Sequence, residues 1–144
     1  MAITTNAICN SFKKELLEGK HDFTASTGSA FQLAMYNSNA VLGKSTTSYT
    51  TGSEVTSPAG YTAGGKALVN TGTSVASSVA ITSFSNLSFT NVTLTARGAL
   101  IYNTSNSNTG VAVLDFVSDK TATAGTFTIQ FPAYTTSAAI LRIS

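Results

Sequence analysis

The sequence predicts an all-β fold, namely a jelly-roll-like or Greek-key β-sandwich or barrel of about eight strands with a short N-terminal helix. Three observations support this prediction. Thr and Ser supply 43 of the 144 residues (24 and 19), and 11 Gly and 10 Asn add further turn-forming residues. Such β-branched and turn-forming residues favour strands and tight turns over helices. Apolar residues alternate along most of the chain, and the strand candidates are short, evenly spaced and separated by polar turns.

One amphipathic helix is predicted over residues 6–18. Charged residues fill one side of this segment, and apolar residues spaced by four fill the other. The apolar stripe is formed by Ile8, Phe12 and Leu16, with Cys9 and Leu17 flanking it. A helix of this length is stable only when its apolar side packs against the rest of the protein.

The ends of this helix carry recognisable signals. Thr5 or Asn6 is placed to cap its start, and Gly19 is placed to end it. The change of period after the helix divides the chain into two parts. Residues 1–22 form an N-terminal arm with the amphipathic helix, and residues 23–144 form a single β domain.

The first half of the β domain contains both strands and loops. Phe31, Leu33 and Met35 alternate with more polar neighbours and predict a strand that ends at a turn over 37–39. Further elements are expected in order along the chain: an edge strand over 49–55, a loop over 57–65 and a strand that begins over 66–69. Residues 70–93 keep regular apolar positions, and their parity switches near Thr90-Asn91, which indicates a bulge.

The last third contains four strand candidates, over 95–102, 111–117, 127–131 and 138–143. Polar loops are expected between them at 103–110 and 118–125. Leu100-Ile101 and the run 111–114 are apolar on both sides. Strands that are apolar on both faces are covered on both faces, so we expect these two to be central in a sheet.

Charge and cysteine content exclude several classes of protein. The formal net charge is +2, with eight basic residues spread along the chain, whereas nucleic-acid binders concentrate such residues on one face. The single cysteine excludes an intrachain disulfide. The N-terminal segment has neither the pattern of a signal peptide nor an apolar run of membrane-spanning length. We therefore expect synthesis in a cytoplasm, with neither nucleic acid nor membrane as partner.

One segment resembles a phosphate-binding loop. Residues 60–67 read GYTAGGKA and match G-x-x-x-x-G-K, but Ala67 stands where a Mg²⁺-binding Ser or Thr is needed. The motif also requires a following helix, whereas the next residues read as a strand. A glycine-rich loop between strands is the preferred interpretation, and no cofactor is predicted.

Catalytic and metal-binding groups are scarce. Cys9 and His21 are the one cysteine and the one histidine, and we expect a buried structural thiol and a solvated helix exit. Asp115 and Asp119 flank the end of one strand, where a salt bridge with Lys120 or Arg97 is preferred over a shared metal site. The sequence therefore predicts no enzyme and identifies no catalytic, cofactor-binding or metal-binding residue.

The remaining features point to surface contacts. The low proportion of charged residues, 10%, works against solubility as a free monomer, so a homo-oligomer is expected. Aromatic side chains with a polar end are common anchors of interfaces. The candidates are Tyr36, Tyr49, Tyr61, Tyr102 and Tyr134.

Several stretches together resemble a family of small structural proteins of tailed-bacteriophage virions. The matching segments span nearly the whole chain. They are FKKELL at 12–17 with Gly19 and His21, GYTAGG at 60–65, ARGALIYN at 96–103, AVLDF at 112–116 with Asp119-Lys120, and QFP at 130–132 before ILRI at 140–143.

The resemblance implies a capsid decoration or cement protein. Such a protein binds the outside of the shell and bridges capsid subunits, so the implied partners are the major capsid protein and other copies in a dimer or trimer. The implied location is the capsid surface, and the N-terminal helix or arm is a candidate docking element. The alternative is a tail or fibre component, acting as an adaptor or receptor-binding module.

Overall fold

The computed structural model describes residues 3–56 and 59–144, and within these ranges it contains eight strands in two antiparallel sheets and one short helix. The all-β prediction with a short N-terminal helix is therefore confirmed. The elements, in chain order, are β1 (Ala7–Ile8), α1 (Asn10–Leu17), β2 (Phe31–Tyr36), β3 (Lys66–Ala67), β4 (Asn70–Ala76), β5 (Val79–Phe84), β6 (Leu87–Asn103), β7 (Thr109–Ile129) and β8 (Leu141–Ile143).

The larger sheet has the strand order β1-β7-β6-β2-β3, and the smaller has the order β4-β5-β8. β6 and β7 form a long antiparallel hairpin that dominates the larger sheet. As predicted, Leu100-Ile101 and the run 111–114 lie on central strands, because β6 lies between β7 and β2 and β7 lies between β1 and β6. Side chains on both faces of β2 and of the C-terminal half of β6 are buried.

The helix is shorter than predicted. It begins at Asn10 rather than at residue 6, because Ala7 and Ile8 pair with β7 as a strand. Asn6 does not cap the helix, and its side-chain oxygen instead accepts a hydrogen bond from the Asp115 N–H at 2.6 Å. Cys9 occupies the N-cap position without a side-chain cap bond.

The other end of the helix partly agrees with the prediction. Gly19 follows the last turn with a φ of +72°, which confirms it as the terminating residue. Phe12 is buried in the core as expected. Leu17, however, is 92% exposed and does not belong to the buried stripe.

Two predictions for the last third need correction. The predicted loop over 118–125 belongs to β7, which extends from Thr109 to Ile129, although its pairing with β6 is interrupted between Asp115 and Lys120. Residues with positive φ, Val117 at +71° and Ala124 at +47°, locally distort this strand and explain the turn-like sequence there. The predicted strand over 138–143 is reduced to β8, Leu141–Ile143.

The middle of the chain is also less regular than predicted. The expected edge strand over 49–55 is reduced to one bridge between Glu54 and Tyr36. Of the predicted loop over 57–65, residues 57–58 lie outside the described residues, and the rest turns into the two-residue β3. The predicted bulge near Thr90-Asn91 is confirmed by a register shift between Phe89 and Val92.

Candidate functional site

The phosphate-loop-like segment is a structural turn. Strand β3 follows it, as the sequence predicted, instead of a helix. The Lys66 ammonium donates a hydrogen bond to the Ser88 carbonyl at 2.6 Å and lies 5.7 Å from the centre of the Phe89 ring. The Gly64 N–H donates to a carboxylate oxygen of Glu54 at 2.7 Å. The glycine-rich loop thus binds an internal carboxylate, in the way a phosphate loop would bind an external anion.

Glu54 lies at the centre of a cluster of hydroxyl groups, and it is only 6% exposed. The Tyr49 hydroxyl donates to Glu54 Oε2 at 2.6 Å, and the Tyr61 hydroxyl donates to Oε1 at 2.7 Å. The Tyr61 oxygen also accepts the Met35 N–H of β2 at 2.9 Å. A single carboxylate therefore connects the irregular segment 49–64 to the central sheet.

The tyrosine hydroxyl groups in this cluster remain protonated donors. Burial raises the pKa of Tyr49 and of Tyr61 well above the ordinary value of 10.0, and the neighbouring Glu54 carboxylate raises both further. Burial likewise raises the pKa of Tyr36, whose hydroxyl donates to the Thr50 carbonyl at 2.7 Å. Because no hydroxyl is ready to ionise and the Glu54 carboxylate already accepts three hydrogen bonds, the cluster is suited to hold the chain together.

The prediction that the tyrosines anchor an interface is wrong for Tyr36, Tyr61 and Tyr102, which are buried. Tyr49 is half-buried and stacks on Tyr102 with ring centres 4.7 Å apart. Tyr134 is 38% exposed, and its hydroxyl donates to the Gly72 carbonyl at 3.0 Å. No local sequence pattern could have paired Glu54 with these rings, because irregular segments have no period.

His21 forms the second buried cluster, whereas the sequence predicted a solvated position. Its ring is 4.7 Å from the Phe12 ring, and its Nε2 lies 3.2 Å from Glu15 Oε2. Its Nδ1 lies 2.9 Å from the Asn103 side-chain nitrogen. Because Asn103 Oδ1 already accepts the Ser105 N–H at 2.9 Å, the amide nitrogen faces the ring. Nδ1 is therefore the acceptor, and Nε2 carries the proton that it donates to Glu15.

Cys9 and His21 do not form a catalytic pair in this arrangement. Both ring nitrogens of His21 are occupied by Glu15 and Asn103. Burial and the nearby Glu15 carboxylate raise the pKa of the Cys9 thiol to about 11, so the thiol is not an active nucleophile near neutral pH. The predicted buried structural thiol is consistent with this placement.

Below pH 6.5 the protein is expected to lose stability because of His21. Burial lowers the pKa of His21 below 6.5, and Glu15 opposes this only in part. The folded state therefore binds fewer protons than the unfolded state, and its stability falls as the pH drops from 6.5 towards the lower folded-state pKa. Urea unfolding at pH 7.5 and 5.0 measures the loss, and His21→Gln serves as the control. A His21→Gln variant that loses as much stability as the wild type over this range would contradict the assignment.

The two aspartates at the end of one predicted strand have separate environments. The Arg97 guanidinium lies 3.4 Å from Asp115, which agrees with the salt bridge preferred from the sequence. Asp119 is exposed. In residues 3–56 and 59–144, no group of three or more His, Cys, Asp and Glu side chains is placed to hold a metal ion. Over the same ranges, no helix is long and apolar enough to span a membrane.

An apolar groove of about 850 Å³ lies beside β7, and we call it the β7 groove. Its sides come from β1, from the outer edge of β7 and from the chain around residues 130–132 and 138–140. Its apolar lining includes Ile8, Leu114, Phe116, Ala122, Phe127 and Ile140. β1 pairs with β7 at two positions only, so beyond Val113 the outer edge of β7 is paired with no strand of the described chain. On this edge the Asp115 N–H donates to the Asn6 side chain and the Val117 N–H donates to the Asp115 side chain. The groove therefore combines apolar surface with a strand edge that no strand of the described chain covers.

In comparisons with known proteins, the chain matches no protein-family model, no curated sequence and no solved structure.

Proposed function

We propose that the chain is a non-enzymatic structural protein of a tailed-phage virion that binds the outside of the capsid. There it cements or decorates the shell by bridging capsid subunits, as a dimer or trimer. The resemblance of its segments to small virion proteins supports this function. The structural observation that carries the proposal is the β7 groove, which is suited to contact with another protein chain.

The β7 groove favours an extended segment of the capsid subunit as its occupant. An added strand would pair with the uncovered outer edge of β7, and its alternate side chains would cover the apolar lining. Such open strand edges are otherwise a risk for aggregation, so covering the edge also protects the protein. A chain that contacts two subunits in this way adds binding energy across each seam of the shell, and self-association multiplies it.

The two buried clusters support a structural role over a catalytic one. The carboxylates of Glu15 and Glu54 each accept hydrogen bonds from neighbouring side chains of the same chain. Glu54 is buried in the fold, and the half-buried Glu15 is already bonded to His21 and Asn106. Such internal hydrogen bonds suit a virion protein, which has to keep its shape under mechanical load.

The copy number of this protein in purified virions tests the proposal. A ratio to the major capsid protein near one, or another simple fraction in the hundreds of copies, is expected. A few to a few dozen copies would contradict shell cementing and favour the alternative, a tail or fibre component. Absence from mature particles would contradict both.

Variants of the β7 groove sharpen this test. Thr126 is exposed and lines the groove, whereas the equally exposed Thr123 of the same strand does not line it. We expect Thr126→Arg to lower the occupancy of the shell about tenfold, corresponding to roughly 1.4 kcal/mol of binding free energy. Thr123→Arg should leave occupancy unchanged. Equal occupancy of both variants would exclude the β7 groove as the contact.

A further inference from the structure

Exposed residues of α1 and of the chain beside its two ends form a surface that combines a leucine with lysines. We call this surface the helix face, and its residues are Lys13, Lys14, Leu17, Lys20 and Lys44. Leu17 is 92% exposed although it lies one residue from the half-buried Leu16. Lys13 and Lys14 precede Leu17 by four and three residues, so all three lie next to each other on the helix surface. A large apolar side chain is therefore surrounded by positive charge.

Lys44 lies beside the start of α1. The Asn10 N–H, at the first residue of α1, donates to the Lys44 carbonyl at 2.8 Å. Lys44 itself is exposed. A loop of the β domain therefore brings one more lysine next to the helix, although the loop and the helix are more than 20 residues apart in sequence.

The net charge of the protein is concentrated here. Residues 10–20 together with Lys44 contain four lysines and two glutamates. The rest of the chain contains four basic and four acidic residues, so the whole formal net charge of +2 comes from this region. Three of these lysines are close together in the sequence, and folding places the backbone of Lys44 beside the start of α1.

The glutamates of this region neutralise only part of the charge of the helix face. Glu15 points to the buried ring of His21. Glu18 is shared by two lysines, at 3.0 Å from Lys14 and 3.3 Å from Lys20. Among the described residues, neither Lys13 nor Lys44 has an ion pair. Two lysine ammonium groups are thus free to bind carboxylates of a partner.

We propose that the helix face docks onto an acidic protein surface, with Leu17 entering an apolar pocket and the lysines pairing with carboxylates around it. An apolar centre with a charged rim is the usual anatomy of a protein interface. Nucleic acid would require neutralisation of many phosphates, and membrane binding would require a broader apolar face than one leucine. The inference rests on the proposed function only for the identity of the partner, the capsid subunit.

Binding of the full-length chain to purified shells that lack it is the first experiment. Leu17→Gln and Lys13→Glu are each expected to weaken binding about tenfold, a usual loss for a central interface contact. Val75→Gln and Thr123→Glu introduce the same side chains at exposed positions outside both the helix face and the β7 groove and should bind within about twofold of the wild type. If Leu17→Gln and Lys13→Glu bind as these controls do, the helix face is not a docking surface.

A second experiment separates this inference from the proposed function. The isotope-labelled chain is titrated at low salt with poly-glutamate, with a short DNA duplex and with anionic phospholipid vesicles. We expect poly-glutamate to shift the amide signals of Lys13, Leu17 and Lys44, and salt to reverse the shifts. This result would stand even if the wild type fails to bind shells, which would overturn only the proposed function. Absence of shifts, or tighter binding of DNA or vesicles to the same residues, would overturn the acidic protein partner.

Discussion

Gly65→Ala is expected to remove most of the stability of the fold. Gly65 has a φ of +85°, and a Cβ added there would lie 1.8 Å from the Leu33 carbonyl oxygen and 2.8 Å from the Ala34 Cα. Those atoms belong to the backbone of β2, whose neighbours are buried on both faces, so they cannot retreat. The combination of clash and left-handed backbone should reduce the free energy of unfolding by about 4 kcal/mol or more.

Gly19→Ala is the matched control for this variant. Gly19 has a similar φ of +72°, but an added Cβ would meet no atom within 4 Å. It should therefore lose only the strain of the left-handed backbone, about 1–2 kcal/mol. Urea unfolding followed by circular dichroism measures both variants. Equal losses at the two positions would show that backbone conformation alone, and not the approach of the loop to β2, sets the requirement for glycine.

Glu54→Ala should have the next largest effect. It removes the acceptor for the hydroxyl groups of Tyr49 and Tyr61 and for the Gly64 N–H. Buried donors left without an acceptor lose their hydration in the folded state without compensation, so we expect a loss of about 3–5 kcal/mol in the free energy of unfolding. Thermal and urea unfolding at pH 7 provide the measurement.

Two controls define the cause of that loss. Glu54→Gln keeps the shape and one acceptor oxygen, so it should lose clearly less stability than Glu54→Ala. Asp119→Ala removes a carboxylate from an exposed position of β7 and should change the free energy of unfolding by no more than about 0.5 kcal/mol. If Glu54→Ala were as stable as Asp119→Ala, the cluster would not hold the segment 49–64 to the sheet.

Gly65→Ala and Glu54→Ala both change the segment 49–65, whose structural role could not be predicted from local sequence patterns. Residues 49–65 have neither a strand nor a helix period, and the predicted edge strand there is reduced to one bridge. Their position depends on hydrogen bonds to Glu54 and on the close approach of Gly65 to β2. These contacts join residues that come together only when the segment packs against β2.

The all-β class, the central strands, the bulge near Thr90-Asn91 and the end of the helix at Gly19 could all be predicted from the sequence. Each depends on a local signal, such as period-two alternation, a change of parity or a single glycine, that acts over a few residues. Only contacts in the folded protein bury His21 beside Glu15, leave Leu17 exposed and include 118–125 in β7. Burial and pairing are set by contacts between distant segments, which can override the local preference of a residue or a short run.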